Sequence, residues 1–410
     1  MKILKYWILT LALLSLVFSV NTAYAKKGQY STGASDTEIK LGHVVPYSGP
    51  VSAYGTIGKV TQAYFDMLNA EEGGINGRKI KLFSLDDAYS PPKTKEQFRR
   101  LVEKEKVLLI FGALGTPTNL AVVQYINKKK VPHLFINTGA SYWDQPKKHP
   151  WTMGFQPTYF TEGEIYATHI LKNHPDGKIA VFYQNDDFGR DYFNGFKKAM
   201  GSHYQSMVVG EQGYETASPT IDSEIIKLKS TGADIFLNMS TPKFGAQAIR
   251  KIYELDWKPV HYITNTAASV AAVFKPVGFE KCQGIMSAQY LMDPTDPNFK
   301  DAPGIVKWGK FMDKYYPAGD KTDFLNVNGY TNARMIEIVL RMAGDNLTRK
   351  NILKQAESMK DIQLDTIIEG IKINTSPTDH RPFESMQLIQ FKDSGFVPIG
   401  SVIKAGNDAK

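Results

Sequence analysis

Short apolar segments alternate with amphipathic ones along most of this chain, and no other feature restricts the fold as strongly. Residues 39–45, 79–85, 107–111 and 133–136 are apolar runs of strand length. Between them, 55–72, 91–105 and 117–128 have helical spacing, with Val60, Ala63, Tyr64, Met67 and Leu68 on one face of the first. Gly73-Gly74-Ile75-Asn76-Gly77 stops that helix with a turn, and Pro91-Pro92 opens the next, because proline is tolerated in a first helical turn. The pattern restarts after Pro157. Helices at 158–172, 189–200, 218–230 and 242–255 separate strands at 178–183, 207–213, 234–239 and 260–264, and Ser218-Pro219 reads as a cap followed by proline. Short apolar strands alternating with helices imply parallel sheets covered on both faces and joined by right-handed crossovers. The expected fold class is α/β, with two doubly wound lobes.

The last third departs from this rhythm. A strand at 285–290 precedes a stretch rich in Pro and Asp, 293–297. Helices are expected at 304–315, 327–342 and 348–359, and 371–373 is extended. Segments 386–391 and 396–403 flank Lys392-Asp393-Ser394-Gly395, a hairpin signal. The two halves repeat in pattern but not in sequence.

The first 25 residues read as a signal peptide. Lys2 and Lys5 precede an apolar run from Ile8 to Phe18, and Ala23-Tyr24-Ala25 offers a small-x-small cleavage site. The run is short for a bilayer span, which needs about 20 residues. No cysteine adjoins the cleavage site, so no lipid attachment is expected. The expected location is the periplasm, with residues 26–37 forming a flexible polar leader. The remaining length suits two domains. The one cysteine, Cys282, has no intrachain partner and reads as a small buried residue rather than a nucleophile. The formal charge of +8 includes Lys2 and Lys5, and the other basic residues are dispersed. Lys128-Lys129-Lys130 is the longest basic run and fits a solvated helix end, so no nucleic-acid partner is expected.

Enzyme signatures are missing: there is no strand-borne Gly-x-Ser-x-Gly, His-Glu-x-x-His, Cys-x-x-Cys or Walker loop. The histidines form no spaced ligand set, so no metal and no cofactor are expected. Asp86-Asp87 and Asp186-Asp187 end strands and read best as caps and loop acids. Ligands of open α/β sheets bind beyond the carboxyl ends of the strands. That rule selects four loops: 112–117, 137–141, 187–189 and 240–242. In the first, Thr116 before Pro117 is either a helix cap or, with free helix N–H groups, part of an anion site.

Several of these motifs together resemble the leucine/isoleucine/valine-binding protein family. They are Ile39-Lys40-Leu41-Gly42 leading to Ser48-Gly49-Pro50 and Tyr54-Gly55, then Asn69-Ala70-Glu71-Glu72-Gly73-Gly74-Ile75-Asn76-Gly77, then Asp86-Asp87 with Pro91 and Lys93. The resemblance runs from about Ile39 to the C-terminus. It implies a type I periplasmic binding protein, two Rossmann-like lobes joined by a three-strand hinge. The implied crossings fall near Gln156-Pro157, near Gln289–Leu291 and between Ile373 and Ser385. The first lobe would then comprise 38–157 with 290–375, and the second 158–289 with 376–410.

By the same resemblance Thr116, Gly139, Ala140 and Ser141 hold a ligand carboxylate. Tyr54 and Leu114 add pocket surface in that lobe, and Phe188 and Thr241 close over the ligand from the other. Thr266 falls where amino-acid binders of the family place a carboxylate for the ligand ammonium. A neutral threonine forms no charge-assisted bond there, so an acid without an α-amino group is expected to bind better than leucine. A disulfide of several members corresponds to Tyr89 and Gly115, so it is absent here. The implied role is non-catalytic: capture of a small carboxylate, aromatic, otherwise hydrophobic or a branched-chain amino acid, for an ABC permease, by a monomer. A sensory receptor of the same fold would have the same cleft chemistry, and an α/β enzyme is the third reading.

Overall fold

The computed structural model describes residues 28–404, so the leader at 1–25 lies outside the described residues. Two sheets organise the chain. The first is five-stranded and parallel, in the order 79–86, 38–45, 109–111, 133–136, 152–154. The second has seven strands, in the order 395–404, 385–392, 286–289, 260–263, 235–239, 179–184, 208–214. Its last five strands run parallel, and the hairpin at the C-terminal edge runs antiparallel, as the turn at Asp393-Ser394 requires. Numbered within each half, both sheets read 2-1-3-4-5, the doubly wound order in which the chain reverses direction between its first and third strands.

The strands form where apolar residues are dense enough to be covered on both faces. Leu109, Ile110 and Phe111 are fully buried, as are Ile179, Ala180, Val181 and Phe182. Helices Gly55–Glu71 and Phe324–Ala343 pack together beside the first sheet, and Pro303–Tyr315 joins them. Helices Tyr159–Asn173 and Asp187–Met200 form the closest helix pair of the second half. The chain passes between the halves after Gly154, after Gln289, and again between Ile373 and Ser385.

Several local expectations differ from the structure. Residues 28–37 are tied down: Gln29–Tyr30 pairs in parallel with Asn346–Leu347, and the Arg78 guanidinium lies over the Tyr30 ring and donates to its hydroxyl. Strand Thr152–Gly154 had no alternation to betray it, yet it completes the first sheet. The helix expected from Ser218 begins only at Asp222, without a side-chain cap. The helix expected over 117–128 divides into Thr116–Leu120 and Val123–Lys129. Thr116 is the first residue of its helix and not its cap, a position held by Gly115 at φ 104°. The Asp pairs act as the sequence suggested: Asp186 caps Asp187–Met200 through Phe188 N and Gly189 N, and Asp87 accepts from Tyr89 N and Thr94 Oγ1. Cys282 is buried and unbridged, and burial pushes its thiol up to about 12.

Candidate functional site

A cavity lies where the reversal points of the two sheets face each other. From the first half come Tyr54, beyond strand 38–45, and Leu114 and Gly115, beyond strand 109–111. Phe188 and Thr241 come from the equivalent loops of the second half, beyond strands 179–184 and 235–239. Asn137 and the pair Asn265 and Thr266 follow the fourth strand of each sheet. Gln156 and Tyr290 come from the connecting segments, and Tyr89, Tyr159, Ile57, Phe324, Leu325 and Asn328 complete the wall. The space left is about 30 Å³, enough for roughly two waters. Aromatic rings pack at the wall: Tyr159 stacks on Tyr192 behind it with centroids 4.3 Å apart and meets Phe188 edge-on at 5.0 Å.

Hydrogen bonds cross the cleft directly. Tyr54 Oη donates to Thr266 O at 3.1 Å. On one rim Ser141 donates through its amide (2.8 Å) and its hydroxyl (2.6 Å) to the Asp191 carboxylate. On the other, Ser269 Oγ donates to Asp323 at 2.9 Å. Neither carboxylate has a cation opposite it here. Burial raises both above the usual carboxylate range, Asp323 to about 6, against the lowering effect of the serines and of nearby backbone N–H groups.

Of the residues singled out from sequence, Tyr54, Leu114, Phe188, Thr241 and Thr266 line this cavity. Thr116, Gly139, Ala140 and Ser141 stand outside it. The Thr116 hydroxyl is buried and bonded to that of Thr138 at 2.6 Å, Gly139 O accepts from Tyr159 N, and Ser141 faces Asp191. Sequence reading passed over the rest of the wall. Asn137 lay in a loop already selected, Asn265 beside Thr266, and Gln156 and Tyr290 at the expected crossings. Tyr89 and Asn328 gave no local signal, since only the packed fold brings them to the cleft.

One acid stands just behind the wall. Glu162 is fully buried and accepts from Tyr166 Oη (2.6 Å), Asn265 N (2.8 Å) and Tyr192 Oη (3.1 Å). Burial pushes its carboxyl up to about 7, despite these three donors. It therefore fixes Asn265, a cavity residue, without facing the cavity itself.

Comparison with known proteins places the chain in a family. Residues 38–395 match the family described as periplasmic binding protein. A Leu/Ile/Val-binding protein homolog 7 of Brucella abortus is 23% identical over 382 residues, covering 90% of this chain and 93% of the relative. A branched-chain amino acid ABC transporter structure from Thermus thermophilus with bound valine superposes with a TM-score of 0.81 at 16% identity, covering 91% of this chain and 98% of that one. A fatty acid ABC transporter substrate-binding protein from Thermomonospora curvata gives 0.77 at 21% identity, covering 92% and 95%. The chain belongs to the periplasmic binding protein family.

Proposed function

We propose that this chain is a non-catalytic, extracytoplasmic solute receptor that captures a small molecule in the cavity between its lobes and delivers it to an ABC permease. The observation that carries the reading is the cavity itself, built at both sheet reversal points and lined from both halves. Capture works by hinge motion: three connecting segments join the halves, the lobes part, and closure removes the ligand from water. The ABC transporter proteins among the structural neighbours support delivery to a permease as the downstream step.

The expected carboxylate ligand meets a competitor in this geometry. Ser141, assigned to the ligand anion by resemblance, already gives both of its donors to Asp191. An acid could use them only by displacing that carboxylate, so binding by the cavity's neutral groups is the better-supported mode.

A thermal-shift panel tests the receptor reading. It should include branched-chain amino acids, aromatic and short fatty acids, and small neutral amides. A true ligand at 100 times its dissociation constant stabilises the folded protein by about 2.7 kcal/mol. A panel in which no compound raises the melting temperature would count against small-molecule capture.

A further inference from the structure

We infer that the ligand is an uncharged small carboxamide, held by neutral donors and acceptors between aromatic walls. The inference rests on the receptor reading and names the chemistry of that same cavity.

None of the cavity-lining side chains carries a charge. Acids close to wall residues are turned to other partners: Glu162 to two tyrosines and Asn265 N, Asp186 to its helix cap, Asp191 to Ser141, and Asp323 to Ser269 and Leu325 N. Six backbone amides of the wall are engaged elsewhere. The amides of Leu114, Gly115 and Asn137 already donate to Val44 O, Asn137 O and Ala113 O. Those of Phe188, Thr241 and Asn265 donate to Asp186, Tyr214 Oη and Glu162. A carboxylate entering this space would lose its water and meet no cationic side chain, and an ammonium would meet no carboxylate.

The polar groups that remain fit a neutral ligand with both an acceptor and a donor. Gln156 lines the cavity, and its buried Nε2 has no hydrogen-bond partner among the described residues. Asn137 Nδ2 donates to Asn328 Oδ1 at 2.7 Å, and Asn328 Nδ2 donates to Tyr290 Oη at 3.2 Å. That relay leaves the Tyr290 hydroxyl proton for a ligand acceptor. Tyr54 Oη gives its proton to Thr266 O and so presents lone pairs to a ligand donor. The wall thus offers donors for a carbonyl oxygen and a hydroxyl oxygen for an N–H, the complement of a carboxamide. Tyr159, Phe188, Phe324 and Leu114 supply apolar surface for its body, and the small volume favours a short one.

Matched isosteres test the inference by calorimetric titration of the intact mature protein: acetamide against acetate, isobutyramide against isobutyrate, and benzamide against benzoate, with leucine and choline as charged references. At least one amide should bind ten or more times tighter than its acid and than both references. Gln156→Met, which keeps the side-chain length, should weaken that amide about tenfold, the loss of one neutral hydrogen bond. If that variant misfolds, the wild-type pairs still decide. An acid, leucine or choline binding as tightly as the best amide overturns the inference, and so does a series in which no amide binds. If no amide binds but another compound of the thermal panel does, the receptor reading survives and only the ligand class falls.

Discussion

Raising the pH from about 4.5 to about 7 should remove on the order of 3 kcal/mol of stability through Glu162 alone, a loss that Glu162→Gln abolishes. The sign follows from the direction of the shift. Burial raises the folded-state value from 4.5 to about 7, so between those limits the folded protein holds a proton that the unfolded chain has released. Stability from this group is complete below the unfolded value and declines as pH rises through the folded one. Other buried acids, among them Asp293 and Asp323, act in the same direction, so the variant isolates Glu162. A glutamine carbonyl can keep Tyr166 Oη and Asn265 N as donors, and its amide can donate to the Tyr192 oxygen in place of the lost acceptor. Urea unfolding of both proteins at pH 5 and pH 8 measures the difference. Parallel curves for wild type and variant would show that Glu162 ionises in the folded state as freely as in water.

Gly195→Ala should destabilise the protein by about 1–3 kcal/mol and weaken ligand binding, although alanine is the better helix former. On an exposed helix the same change gains about 1 kcal/mol. Here Gly195 and Gly163 let helices Asp187–Met200 and Tyr159–Asn173 approach until backbone meets backbone. A Cβ on Gly195 would fall 2.7 Å from Phe160 Cα, and one on Gly163 would fall 2.8 Å from Phe196 N. Neither neighbour can swing aside as a side-chain tip would, so the helices must separate. Tyr159 and Phe188 sit at the starts of these two helices and Tyr192 one turn into the second, so the strain reaches the cavity wall. Gly309→Ala is the control: its helix position has nothing within 4 Å of the new Cβ, and it should gain up to about 1 kcal/mol. Equal melting temperatures for the two variants would contradict the account.

Much of the fold was legible because parallel strands buried on both faces must be largely apolar, as 179–182 and 235–237 are. Thr152–Gly154 escaped because three residues carry no periodicity; its neighbours, not its composition, recruit it to the sheet edge. Residues 265–277, short turns of several helical types, had no repeat to read. The position of the cavity followed from topology, since loops at reversal points are fixed by strand order. Which side chains face it did not. Thr116 and Ser141 lie in two of the selected loops, but one bonds to Thr138 and the other to Asp191, fifty residues away in sequence. Phe324 and Asn328 reach the cavity only because the helix Phe324–Ala343 packs against Gly55–Glu71.

A crystal structure of the protein with the ligand found by the thermal panel tests the central claim most directly. The account predicts the ligand enclosed between the halves, touching Tyr54 and Gln156 on one side and Phe188 and Thr266 on the other. A ligand seated elsewhere, for example in the open groove between helix Tyr159–Asn173 and the C-terminal strand lined by His169, Lys172, Leu388 and Ile403, with the inter-lobe cavity unchanged, would contradict it.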